Sequence, residues 1–257
     1  MTQLPARTGW EWIRQGFDLF RQQPGSLAFL FLGYMTIMFA VGVVPLAGQV
    51  LPVVLIPVFA AAFMQAAASI DRGERALPTL IMTGFRKPVF GRLFKLGLVY
   101  LVVAMVAVGA TALVDGGTFW KLMTGQLDPR SETARNAALG LPLLLAVTIY
   151  IPAAMAFAFA APLILWQQMG VAKSIFYSFF AVLRNLHAFI VFALSWFLLS
   201  ILVSNIILLL AGREYAVFVM LPVSIILTLV MHCSFYTSYR QLFGAPGEEP
   251  APAAETL

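Results

Sequence analysis

Two histidines and one cysteine are the side chains of this sequence best suited to metal or nucleophilic chemistry, and their spacing assembles no known constellation. His187 and His232 stand far apart, without an HxxxH or HExxH pattern or a Cys/His cluster around either, so the ligand spacing of a zinc site is missing. No serine lies in a GxSxG setting, and no glycine-rich loop could cradle a phosphate. No catalytic residue, metal or cofactor is therefore expected. Cys233 has no second cysteine to pair with, which makes it a small packing residue. A lipid-modifying enzyme would need polar groups converging near a membrane border, and His187 with Asp71 or Glu74 is the candidate set.

Two amides, Gln65 and Asn205, fall inside long uncharged stretches and are candidate intramembrane polar contacts. They can hydrogen-bond neighbouring helices or line a substrate path. Ion-coupled transport usually leaves an ionisable residue in the apolar core, and no Asp, Glu, Lys or Arg occurs there. A lipid or neutral solute needs no charged ligand, so a permeability protein stays open as an alternative; a cavity lined by Gln65, Asn205, Thr148 or Tyr150 would favour it. The cations are more suggestive. Arg14, Arg21, Arg72, Arg75, Arg86, Lys87, Arg92, Lys95, Lys173 and Arg184 border the apolar stretches, where each basic residue near anionic lipid contributes about 1 kcal/mol. They are candidate contacts to lipid headgroups, the alternative being that they only fix topology. The partners expected are membrane lipids, preferentially anionic, with a membrane-protein partner or a homo-oligomer open; nucleic acid is not expected despite the formal charge of +5.

These side chains must be positioned by membrane elements. Of the 257 residues 61% are hydrophobic and 11% charged, with mean hydropathy +0.91, whereas a soluble domain carries about 25% charged residues. Residues 22–70, 96–114, 136–172, 185–212 and 215–239 contain no Asp, Glu, Lys or Arg. Since a crossing takes about 20 apolar residues, the first stretch holds two spans and each of the others one. The spans are read as 26–44, 53–70, 89–114, 138–166, 187–210 and 215–239. Alanines at 60–62 and 66–68 make the second smooth enough to be central. Pro142, Pro152 and Pro162 should bend the fourth where a carbonyl four residues back loses its donor. Pro88 is placed to start the third.

Two charged amphipathic segments, 8–23 and 171–185, read as interfacial helices. In the first, Thr8 and Glu11 suggest a capping box; Trp10, Ile13, Phe17 and Phe20 form the lipid arc, Asp18 can pair with Arg14 or Arg21, and Trp12 with Leu19 forms a second stripe that either packs on the bundle or stays exposed. In the second, Ile175, Phe176, Phe179, Phe180, Val182 and Leu183 oppose Lys173, Ser174, Tyr177, Ser178, Arg184 and Asn185. Between spans two and three, segment 71–95 carries six cations and an apolar insert, TLIMTGF, that dips into the interface. The loop 115–136, with three cations against three acids, is expected on the extracytoplasmic side, and the acidic tail 245–257 should be disordered. Residues 1–244 then form a single transmembrane domain.

Twelve Lys and Arg fall on the side of the termini and four on the other, which places both termini in the cytoplasm by the positive-inside rule. The first apolar run lacks a cleavage site and is expected to stay in the mature chain. An offset of 163 pairs Ile13, Phe17, Phe20, Arg21 and Gln22 with Phe176, Phe180, Leu183, Arg184 and Asn185, which fits either a parallel internal repeat or the shared composition of two amphipathic helices.

The runs GWEWIRQGFDLFRQQP, DRGE, GFRKP, APLILWQQMGVAKSIFYSFFAVLRNLHAF and FYTSYRQLFG resemble an uncharacterised family of multi-pass inner-membrane proteins of proteobacteria, over nearly the whole chain up to Gly244. A more distant similarity is to the membrane domain fused to some glycerophosphodiester phosphodiesterases. The resemblance implies a multi-pass inner-membrane fold and transfers no catalytic residue. The expected fold is all-α and polytopic, with six transmembrane helices and two cytoplasmic-side interfacial helices. The expected role is a non-enzymatic, lipid-contacting scaffold or accessory of an envelope process.

Overall fold

The computed structural model describes residues 4–45, 47–128, 131 and 140–246. Among them no strand occurs. The helices are α1 (Thr8–Gln22), α2 (Pro24–Gly42), α3 (Ala47–Asp71), α4 (Val89–Asp115), α5 (Thr118–Met123), α6 (Gly140–Phe157), α7 (Ala160–Gln167) and α8 (Val171–Arg184), followed by α9 (Leu186–Gly212) and α10 (Glu214–Phe243). A 3₁₀ helix, Pro78–Phe85, lies between α3 and α4. Among the described residues six stretches are long and apolar enough to cross a membrane: α2, α3, α4, α6 with α7, α9 and α10. The protein is an all-α polytopic membrane protein, with the six spans where the charge-free stretches put them. The tail beyond Pro246 and the start of the fourth span at 138–139 lie outside the described residues.

The alanine-rich α3 is the central helix. Within its spanning window 61% of residues are buried, against 11–17% in the other five, because Ala61, Ala62, Ala66, Ala67 and Ala68 let neighbours close onto its backbone. It starts at Ala47 rather than 53: Pro52 and Pro57 sit inside it, and packed neighbours tolerate the missing donors. The α9–α10 turn is made at Gly212, whose φ of 68° is a left-handed conformation that favours glycine. Across it the two helices return side by side, Phe192 and Phe235 stacking edge to face at 5.5 Å.

Of the three prolines expected to bend the fourth span, only Pro162 does so. Pro142 sits in the first turn of α6, where no donor is needed, and α6 runs on through Pro152. Four residues before Pro162 the helix breaks, and Ser178 of α8 enters the gap. Its Oγ accepts from the Phe159 N–H at 2.9 Å and donates to the Met155 carbonyl at 2.8 Å. A side-chain hydroxyl thus restores the backbone bonds that the break removed.

The peripheral elements correct several expectations. The N-cap of α1 is Arg7, without a side-chain cap, so the Thr8 capping box does not form; Thr8 is buried and its N–H bonds Pro5. The ion pair on α1 is Arg7–Glu11, and no pair joins Asp18 to Arg14 or Arg21 among the described residues. Trp12 and Leu19 pack on the bundle, but Ile13 and Phe20 join them, leaving Trp10 and Phe17 exposed. Helix α8 is turned over. Ser174, Ser178, Ala181 and Val182 are buried, whereas Phe176, Phe180 and Leu183 face outward, because lipid accepts large apolar groups while small residues permit close packing. The 3₁₀ segment runs back along the α2–α3 hairpin: Gly84 lies against the backbone of Val58, thirteen residues and about 20 Å before the end of α3. The loop after α4 contains the short helix α5.

Three short elements pack along the spans. The 3₁₀ segment packs on α2 and α3, α8 on α6 and α7, and α1 on α9 and α10. The burial patterns of α1 and α8 coincide at an offset of 162, where Trp12, Gly16, Leu19 and Phe20 match Ser174, Ser178, Ala181 and Val182. The sequence offset of 163 pairs buried Ile13 and Phe20 with exposed Phe176 and Leu183, so the structural register differs by one residue.

Candidate functional site

One end of the bundle gathers both terminal segments and most of the cations; it is called the basic end here. Its frame is polar. Asp71 at the close of α3 accepts from the Arg240 guanidinium through both carboxylate oxygens, Oδ2 at 2.7 Å, and from the Tyr236 hydroxyl at 2.9 Å. Trp12 is wholly buried between Phe189 and Phe192, with its indole N–H on Gln241 Oε1 and its carbonyl bonded by Thr237 Oγ1. At the helix ends two amides tie the connections. The Gln23 side chain bonds the Glu74 carbonyl at 2.8 Å and the Ala76 N–H at 3.0 Å, while Asn185 Oδ1 accepts from the Leu4 N–H at 2.9 Å. None of these partners is adjacent in sequence. In the sequence Asp71 is a candidate only beside His187, and its true partners Tyr236 and Arg240, like those of Gln23, lie 50 to 170 positions away, where no local spacing links them.

The ten candidate headgroup cations are found in three conditions. Arg72 is occupied, forming a two-point bond to Glu74 at 2.9 and 3.0 Å. That bond holds the Glu74 carboxyl below its usual range and raises the Arg72 guanidinium. Arg92 is half-buried and caps the end of α7, one amino nitrogen donating to the Gln168 carbonyl at 2.7 Å and to Gln168 Oε1 at 3.2 Å. Arg14, Arg21, Arg75, Arg86, Lys87, Lys95, Lys173 and Arg184 are exposed, and no ion pair holds them among the described residues. On α1 the exposed face repeats Trp10, Arg14, Phe17, Arg21, with the Arg21 guanidinium 5.8 Å from the Phe17 ring. Aromatic rings alternating with arginines suit the boundary between hydrocarbon and headgroups.

The structure does not bring the two amides together. Gln65 Oε1 accepts from the Trp166 indole at 2.8 Å, joining α3 to α7, while Asn205 bonds its own helix at Ile201 and faces outward. His187 is exposed and bonded to neither acid, since Asp71 is held by Arg240 and Glu74 by Arg72. Cys233 is buried, as expected of a packing residue. No group of three metal-ligating side chains occurs among the described residues.

Six spans with peripheral helices and an arginine-rich, aromatic-edged end define a multi-pass α-helical membrane protein. The chain is 37% identical to a probable inner membrane protein of Burkholderia thailandensis over 265 aligned positions, covering 98% of this chain and 97% of that protein. It belongs to the same family. No family model matches the chain, and no solved structure does.

Proposed function

We propose that this protein is a non-enzymatic scaffold or accessory of an envelope process in a bacterial inner membrane, with both termini in the cytoplasm and its basic end bearing on anionic lipid. The observation that carries the reading is the set of exposed cations. Among the described residues nine of the ten candidates have no ion pair, and the two that make hydrogen bonds, Arg72 to Glu74 and Arg92 to Gln168, are the ones that staple connections. The likeness to the membrane domain of some glycerophosphodiester phosphodiesterases would place a similar module beside phospholipid chemistry. The test replaces Arg14, Arg21, Arg75, Arg86 and Lys87 with Gln and measures the phosphatidylglycerol retained by the detergent-extracted protein relative to phosphatidylethanolamine. At about 1 kcal/mol per cation, this ratio should fall at least tenfold. Unchanged retention by a correctly inserted variant would overturn the reading.

A second reading, a permeability protein for a lipid or neutral solute, draws on a cavity of about 250 Å³ where Tyr100 and Tyr150 meet Val53 and Ala153. Gln65, Asn205 and Thr148 do not line it. Flux of a neutral amphiphile across proteoliposomes, blocked by Ala153→Trp, would favour this reading over the first.

A further inference from the structure

Beneath α8 the bundle carries an open apolar groove of about 620 Å³, between α4, α6 and the outward aromatic face of α8. That volume lies within the roughly 300–1,000 Å³ typical of ligand sites. Its walls are Val99 and Val103 of α4, Ala153 and Phe157 of α6, and Phe176 and Phe180 of α8. The groove exists because Ser178, holding the α6–α7 break, pulls the small face of α8 inward and leaves its phenylalanines overhanging the flank of α6.

Cations stand at the mouth. On α4, Lys95 is one turn before Val99 on the same helical face, toward the basic end. Arg92 lies about one further turn back, and its bonds to Gln168 use a single amino nitrogen, leaving the other guanidinium donors uncommitted. On α8, Lys173 adjoins the groove-lining Ala172, with its ammonium 5.7 Å from the Tyr177 ring. No acid lies between Arg86 and Val114 or between Gly140 and Arg184, so the mouth has one sign of charge and the floor has none.

We propose that this groove binds one acyl chain of an anionic phospholipid, whose phosphate is held by Lys95, Lys173 and Arg92. The site rests on the lipid-contacting reading above and narrows it to one lipid class at one place. Charge complementarity selects the headgroup, and the apolar floor continuous with the span surfaces takes the chain. A zwitterionic lipid can occupy the floor but gains less at the mouth.

The experiment incorporates the full chain into vesicles of phosphatidylethanolamine and phosphatidylglycerol, with a trace of either phosphatidylglycerol or phosphatidylcholine carrying a diazirine on one acyl chain. Labelled peptides are then mapped after illumination. Phosphatidylglycerol should concentrate its label on α8 and on α4 around Val99–Val103 at least tenfold over phosphatidylcholine. Ala153→Trp, which fills the floor, should abolish that label. The surface variant Lys95→Gln with Lys173→Gln leaves the packing intact and should reduce the label to the phosphatidylcholine level. Label spread evenly around the bundle, or insensitive to the lysine variant, overturns the site. If wild type also retains no excess of phosphatidylglycerol in detergent, the broader reading falls with it; retention without groove label leaves the broader reading standing and removes only the groove.

Discussion

Ser178 shows how one hydroxyl decides local architecture in a membrane helix. A proline removes a backbone donor, and in hydrocarbon an orphaned carbonyl or N–H has no water to turn to. At the break before Pro162 the lost bond between the Phe159 N–H and the Met155 carbonyl is bridged from a neighbouring helix, with Ser178 acting as acceptor for Phe159 and donor for Met155. Ser178→Ala keeps the volume nearly unchanged but leaves both backbone groups unpaired in a buried place, which costs about 1–3 kcal/mol for each group left unsatisfied. The expected outcome is a clear fall in the midpoint of thermal unfolding in detergent, with the six spans retained. An Ala172→Ser control, exposed on the same helix, should leave the midpoint in place. If both variants unfold together with wild type, the hydroxyl does not bridge the break. The serine was read from the sequence as part of the wet face of α8, since amphipathicity in water places polar groups outward. Against lipid, the polar atom is the one that needs a protein partner.

The same inversion explains what was legible at the scale of elements. Span existence and order followed from uncharged runs such as 22–70, because a charge in hydrocarbon is costly wherever the helix sits. Which face of a helix turns inward did not follow, because Phe176 or Phe180 is as well solvated by acyl chains as by the core. For α1 the answer lay instead in its glycines. A Cβ at Gly9 would overlap the Ala188 carbonyl, and one at Gly16 would overlap Ser234, so both lie where α1 crosses the α9–α10 hairpin at backbone contact. Gly16→Leu should therefore lift α1 off the bundle, taking Trp12 out of its place between Phe189 and Phe192 while leaving the spans inserted. Limited trypsin digestion of the membrane-embedded protein would report this as rapid cleavage at Arg14 and Arg21, sites protected in the docked helix. An equally slow digest would show that the close approach does not hold α1. The candidate site was legible only as a list of cations; their sorting into occupied and exposed depended on distant acids and amides that no local pattern announces.

At the scale of the whole molecule, three short elements pack on the spans: the 3₁₀ segment on α2 and α3, α8 on α6 and α7, and α1 on α9 and α10. Leu4, tied to Asn185, and Arg240, tied to Asp71, stand at the basic end, so the described termini share one side of the bundle. Twelve of the sixteen Lys and Arg belong to this side, and the other four, Lys121, Arg130, Arg135 and Arg213, occur in the connections following α4 and α9. Short loops with such an excess are retained in the cytoplasm during insertion, which predicts an orientation as well as a topology. Single cysteines introduced as Arg75→Cys and Asp128→Cys in a Cys233→Ala background test both. A membrane-impermeant maleimide applied to intact spheroplasts should label position 128 and leave position 75 unlabelled until the membrane is opened. The reverse pattern would turn the basic end outward and remove its access to the lipids of the cytoplasmic leaflet. Labelling of both positions from outside would mean that segment 71–95 and the α5 loop share a side, which an odd number of crossings between them forbids; the third span, α4, would then not cross at all.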